Sequence, residues 1–390
     1  MSMAPNISSA PPGLYRPLDN ALKEIRVLHL FPGREDSPVV CGIRTVSLAN
    51  DKQLPIYDAM SYVWGPSNEG RTAFLHSGGT QYEVPVTDNL HRALRTMRFR
   101  RSKSLVIWVD ALCTNQNDNH EKSQQVAKMA QVYNKAQCAR AMTDRFKDAP
   151  RLARQRNWVL IWYGCWDIFN LCIEFLTAKI RNTEYALGTS SRPWHARAWV
   201  CQEFYVAQKV VFVSGRTVLK RFHGRAWDDM QRFMVYIGPH EYGLWESWAE
   251  SLYQWSSMHK VRHKTGSLLH AAIATAGANA SDDRDKVYSL IGLMPEDSSL
   301  KVEADYDLAT WAVYARATFS DIRETSNLLS LEFADYEHAA VKNLPTWTVD
   351  FLPSLVLWSL LAYLRCDTIK TPLQPSRNLT CRYSALTLAI

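Results

Sequence analysis

The 390-residue chain has no long apolar run, no paired-cysteine motif and few glycines, and each shortage narrows what it can be. The longest apolar stretch near the end, Phe351 to Leu364, contains Pro353 and stops at Arg365. A bilayer needs about 18 consecutive apolar residues, so no membrane span is expected. Met1 to Pro12 has neither the basic start nor the apolar centre of a secretory signal. The eight cysteines (41, 113, 138, 165, 172, 201, 366 and 381) form no CxxC pair. Dispersed cysteines in a long chain read as a reduced, soluble, cytoplasmic protein. Walker A, GxGxxG and GxSxG sequences are absent, which removes the usual phosphate loop, dinucleotide fingerprint and nucleophile elbow. Charge of one sign is also scarce: 45 Lys and Arg against 38 Asp and Glu leave +7, too dilute to argue for nucleic acid.

What is present is a globular composition, 47% apolar and 21% charged, long enough for two or three structural units. Fourteen tryptophans against sixteen glycines imply that aromatic anchors shape both the core and any pocket. Residues 1–14, rich in Pro, Ser and Ala, read as unordered. Residues 15–54 read as a hairpin covering the edge of something larger: Ile25 to Leu30, a turn at Pro32-Gly33, then Val39 to Leu48.

The segment from 55 to 215 alternates strands and helices. Ile56 to Trp64 is strand-like and ends at Gly65-Pro66. Thr87 or Asp88 can cap a helix with Leu90, Ala93, Leu94 and Met97 on one face. Leu105 to Val109 is a continuous apolar run, as expected of a strand buried on both faces. Asp118 and Glu121 stand in capping-box register ahead of a helix with Val126, Met129, Tyr133 and Ala136 on one face. Gln137 to Arg156 is polar and only weakly periodic, so the next apolar strand candidate is Trp158 to Tyr163. Arg192 to Gln208 reads as helical and Lys209 to Ser214 as a strand closed by Gly215. The expected class is α/β, a doubly wound parallel sheet, followed by a mainly helical region over 216–350 and a tail over 351–390. In that helical region Ser281 is expected to cap a helix with Val287, Leu290, Ile291 and Met294, stopped by Pro295. A second is expected with Trp311, Tyr314, Ala315, Thr318 and Ile322 on its face.

Ligands of such sheets bind beyond the carboxyl ends of the strands. Three segments should converge there: Ser61-Tyr62-Val63-Trp64-Gly65, Asp110 through Asn115 and Gln116, and Trp194 to Glu203. On a helix Trp199 and Glu203 share a face, and a carboxylate beside an indole is partly desolvated, which favours its protonated form. Together they make a nucleoside-sized pocket with an acid and aromatic walls. Plainer roles are open for each residue. Asp110 can cap the next turn, Asn115 and Gln116 can satisfy loop backbone, Glu203 can pair with Arg197 or Lys209, and the tryptophans can be core. Other clusters are weaker. His259 and His263 sit four apart without a third ligand, so no metal site is expected. Cys113 and Cys201 are nucleophile candidates only if His195 meets them. Gly78-Gly79 between Ser77 and Thr80 reads as a hairpin turn.

Taken in order, these segments resemble the fungal heterokaryon-incompatibility (HET) domain. The matching motifs are Tyr57 to Gly65, Val86 to Leu90, Ile107 to Gln116, Glu121 with Gln125-Val126, Arg192-Pro193-Trp194 and Arg197 to Glu203. Asp283-Arg284-Asp285-Lys286-Val287-Tyr288 and Leu344-Pro345-Thr346-Trp347 look like further elements of such proteins. The resemblance implies fungal nonself recognition that triggers cell death. The HET domain is in turn similar to Toll/interleukin-receptor (TIR) domains, and Trp199-Val200-Cys201-Gln202-Glu203 repeats the spacing of their Trp-Cys-x-x-Glu segment. In TIR enzymes that Glu is essential for cleaving NAD+. The resemblance therefore implies Glu203 as the catalytic residue, with NAD+ as substrate and no required cofactor. Ser61, Tyr62, Trp64, Gly65, Asp110, Asn115, Gln116 and Trp199 would line the binding site. It also implies self-association and an incompatibility partner protein, with neither nucleic acid nor membrane as a partner. A non-catalytic signalling or adaptor module is the alternative.

Overall fold

The computed structural model describes residues 11–34, 36–65, 70–98, 104–143, 197–214, 217–223, 267–275, 278–294, 298, 302–334 and 339–352. The strand candidate at 158–163, the two histidines 259 and 263, and His195 lie outside them.

Nine strands form one mixed sheet in the order β5-β4-β2-β1-β6-β3-β7-β8-β9. In chain order they are β1 (Glu24–Leu30), β2 (Val39–Ser47), β3 (Asp58–Ser61), β4 (Thr72–Ser77), β5 (Thr80–Pro85), β6 (Leu105–Trp108), β7 (Cys138–Thr143), β8 (Lys209–Ser214) and β9 (Thr217–His223). The expected hairpin is β1 against β2, and β1 docks antiparallel on β6, with Leu28 opposite Ile107. The parallel part is central: β6, β3, β7 and β8 run the same way, with Asp58 opposite both Ile107 and Cys138. The class is α/β as expected, but the sheet is mixed, because hairpins flank the parallel centre on both sides. The turn between β4 and β5 is Gly78-Gly79, at φ +58° and +86°, the left-handed pair that a two-residue hairpin requires.

β7 corrects the sequence reading. Cys138–Thr143 was expected to fall in a polar stretch without a strand, yet it pairs with β3 and β8 in the middle of the sheet. Its one charged side chain, Arg140, is neutralised across the ladder by Asp58 at 2.6 Å, and Ala139 and Ala141 are buried.

The helices begin where local chemistry allows. Thr87 caps α1 (Asp88–Met97) by accepting from the Leu90 amide, and Leu90, Ala93, Leu94 and Met97 are its buried face. A short turn, α2 (Asp110–Cys113), follows β6. Asp118 caps α3 (Asn119–Lys135) through the Glu121 amide. The capping box is only half made, because the Glu121 carboxylate is taken by Arg26. α3 also buries a wider face than expected, adding Gln125, Lys128 and Val132 to Met129 and Tyr133. α4 is Ala198–Val206.

Further on lie α5 (Leu268–Ala274), α6 (Asp285–Ile291) and α7 (Thr310–Thr325). α6 starts three residues later than Ser281 capping would give. Asp282 holds both the amide and the guanidinium of Arg284 and keeps residues 282–284 in a turn. α7 is rotated from its expected face: Val313, Tyr314, Ala317, Thr318 and Asp321 are buried while Trp311 is exposed.

One core lies against the sheet around Trp108, Tyr57, Tyr133 and Leu94. A second joins Cys201 and Tyr205 of α4 to α5, α6, α7 and Phe351. Among the described residues no helix is long and apolar enough to cross a membrane.

Candidate functional site

β3 lies between β6 and β7, so the next parallel strand after β3 is β6 on one side, whereas the one after β7 is β8 on the other. That is the kind of switch point where open α/β sheets bind ligands. Ser61, the last residue of β3, donates its hydroxyl to Glu203 of α4, which comes 142 residues later in the chain. Glu203 is only 2% exposed. Arg197, just before α4, places one guanidinium nitrogen 3.6 Å from the other Glu203 oxygen and donates at 2.6 Å to the Tyr62 carbonyl. Burial pushes the Glu203 carboxyl above the usual range, against the pull of Arg197 and Ser61.

Asp110 forms the second half. The Trp64 indole donates to its carboxylate at 2.7 Å, and Gln116 donates to its backbone carbonyl at 2.9 Å. Burial raises this carboxyl too, although Arg197 opposes the shift. The Tyr62 phenol is buried, and it feels Asp110, Arg197 and Glu203 together. Arg197 is thus the cation shared by two strained acids. The backbone after β3 is shaped by Gly65, at φ +72°, where an added Cβ would come within 2.6 Å of the Asn89 amide. Asn89 in turn donates to the Val63 carbonyl at 3.1 Å.

Ser61, Tyr62, Trp64, Asp110, Gln116 and Glu203 therefore converge, with Gly65 shaping the turn. Two expected members do not join them. Asn115 gives its amide to Glu121 at 2.7 Å and accepts from the Asn117 amide, a loop-fixing role. Trp199 packs instead between the two hydrophobic cores. Adjacent spacing on a helix predicts a shared face, but α4 is buried nearly all round and its faces meet different cores. Sequence reasoning gave Arg197 only the plain role of a partner for Glu203. Its signal was its place at a helix start, six residues before the acid. Cys113 and Cys201 are buried thiols pushed up to about 12 by burial, and so are held in the unreactive protonated form. Among the described residues no group of three His, Cys, Asp or Glu is placed to hold a metal.

These features define an α/β protein with a buried carboxylate site at the carboxyl ends of central parallel strands. The family model described as "Heterokaryon incompatibility protein (HET)" matches residues 57–203, a span running from the approach to β3 to Glu203 itself. What that match covers is a HET domain within residues 57–203. The chain is also similar to "Heterokaryon incompatibility protein 6, OR allele" of Neurospora crassa, 24% identical over 424 residues that cover 91% of this chain. The chain spans 62% of the length of that relative. No solved structure matches it.

Proposed function

We propose that this chain acts in heterokaryon incompatibility, the recognition of nonself between fused fungal cells, and that it promotes cell death by cleaving NAD+ at Glu203. The observation that carries this reading is the Glu203 carboxylate, held by Ser61 and Arg197 at the end of β3 within the span shared with the HET family. The TIR-like spacing of Trp199 to Glu203 supplies the chemistry. When the nicotinamide–ribose bond breaks, the bond electrons leave with nicotinamide and the ribose becomes oxocarbenium-like. Nicotinamide departs neutral, so no second acid is required. A carboxylate in a dry site stabilises the developing positive charge strongly or orients the ribose hydroxyls, and water completes the cleavage. Tyr62 and Trp64 would wall the nucleoside. Cytoplasmic NAD+ depletion would account for death, and self-association would gate it.

One observation favours a second reading. Glu203 is 2% exposed and engages both Ser61 and Arg197, as a purely architectural carboxylate would. In that reading the domain is a non-catalytic adaptor that works through a second copy or an incompatibility partner. Nicotinamide release by the purified full chain, concentrated to favour assembly and compared with Glu203→Ala, separates the two. Release that disappears in the variant supports the enzyme; no release from a folded, assembled chain supports the adaptor.

A further inference from the structure

Gln202, the residue before Glu203, is a polar side chain enclosed between helices and only 2% exposed. α4 lies between the two cores, with Val200 and Phe204 on the sheet side and Cys201 and Tyr205 on the helical side. Consecutive helix residues point roughly 100° apart, so Gln202 and Glu203 look in different directions. Glu203 reaches the end of β3, whereas Gln202 reaches the junction of α3 and α6. There its amide sits 2.8 Å from the Ala130 N–H of α3 and 3.2 Å from the Ser289 carbonyl of α6. A donor on one side and an acceptor on the other fix its orientation: the oxygen accepts from Ala130 and the nitrogen donates to Ser289.

The packing around this amide leaves no slack. At Gly292, just past α6, an added Cβ would come within 2.2 Å of the end of the Gln202 side chain and 2.7 Å of the Ala130 Cβ. A residue without a side chain lets α6 close on the amide. The first turn of α4 is tied to the same side of the molecule, where Ala198 donates to the Asn279 carbonyl at 2.9 Å and Arg197 makes a parallel bridge to Asn279. Asn279, Ser289 and Gly292 all lie beyond residue 203, where the match to the HET family ends.

We infer that Gln202 is a positioning residue for Glu203: its amide pins α4 to α3 and α6, and so sets where the Glu203 carboxylate stands against Ser61. An amide bonded on both sides holds a helix in one register as an apolar side chain does not, because any slide leaves a buried donor or acceptor unpaired. Moving a reacting group by about 1 Å costs roughly a hundredfold in rate. The carboxylate inside the HET span is therefore held in place by residues outside it. The inference rests on Glu203 being the reactive carboxylate, as proposed above, but its test does not depend on activity alone.

The test uses the full chain carrying Gln202→Met, which keeps length and bulk without the amide, or Gln202→Glu, which offers both an acceptor and a donor only when protonated. In Gln202→Met, amide hydrogen exchange should rise about tenfold over 198–206 and at Ala130 while the β1–β2 hairpin stays protected. Gln202→Glu is the rescue. Burial keeps the new carboxyl protonated at about pH 5, where its urea midpoint should stay near that of the parent and above that of Gln202→Met. Unchanged exchange in 198–206, an equal rise in the hairpin, or a Gln202→Glu midpoint at that pH no higher than that of Gln202→Met would overturn the inference. NAD+ cleavage is assayed on the same samples. Because Gln202 faces α3 and α6 rather than the site, Gln202→Met should lower kcat by about 10–100-fold with KM changed less than about threefold. A rise in KM as large as the loss in kcat would also overturn it. If the parent chain shows no cleavage, the enzymatic reading fails, while the exchange pattern and the rescue still decide whether Gln202 seats α4.

Discussion

Two buried glutamates on neighbouring helices, Glu121 and Glu203, each face an arginine, and they are held in opposite ways. Arg26 grips Glu121 with a two-pronged fork at 2.6 and 2.9 Å, and the Asn115 amide adds a third bond at 2.7 Å. Arg26 also donates to the Cys113 and Arg16 carbonyls and lies 4.7 Å from the Tyr15 ring. Both terminal guanidinium nitrogens of Arg26 and both carboxylate oxygens of Glu121 therefore have partners. Glu203 has its arginine at 3.6 Å, shares it with Asp110, and leans on a serine. Burial with imperfect compensation raises its pKa, and that is the condition in which acids become useful at functional sites. A fully satisfied carboxylate holds structure together; an under-satisfied one can respond to a ligand.

The largest effect that would sharpen this contrast is on the Glu121 side. Glu121→Ala should cost about 3–5 kcal/mol in urea unfolding, since it strands a buried guanidinium. A loss below about 1 kcal/mol would break the contrast. Next, Glu203→Gln should lower NAD+ cleavage by about 10²–10³-fold while leaving the unfolding midpoint at neutral pH unchanged or slightly raised. Third comes pH. Glu203 and Asp110 bind protons more tightly folded than unfolded, so the stability they contribute is full at low pH and is lost as pH rises through their folded values. Melting temperatures of the parent chain should therefore fall across that window as pH rises, and Glu203→Gln should flatten the slope. The smallest effect is at the cap: Asp118→Ala removes the bond to the Glu121 amide and should cost about 1 kcal/mol without disturbing the Arg26 fork.

Much of the sheet was legible because its signals are local. The β1–β2 hairpin, the Gly78-Gly79 turn, the Thr87 and Asp118 caps and the apolar runs of β6 and β8 each carry their cause within a few residues. β7 was illegible for the complementary reason. Arg140 makes it read as polar, and the Asp58 that neutralises it lies 82 residues earlier, on β3. The convergence of the Ser61 and Glu203 segments was expected from the strand ends, whereas the Ser61–Glu203 hydrogen bond and the sharing of Arg197 between Glu203 and Asp110 are three-dimensional facts with no sequence period. Trp199 shows the limit of helical spacing. A shared face has meaning only when a helix has one buried side, and α4 is enclosed by two cores.

The most direct test of the contrast is to measure, on one preparation of Glu203→Gln, both the unfolding midpoint and NAD+ cleavage, alongside the parent chain. The account predicts an intact or raised midpoint at neutral pH with cleavage lost. A midpoint that falls as far as that of Glu121→Ala, with cleavage by the parent chain absent or unaffected in the variant, would contradict it and make Glu203 a second architectural carboxylate.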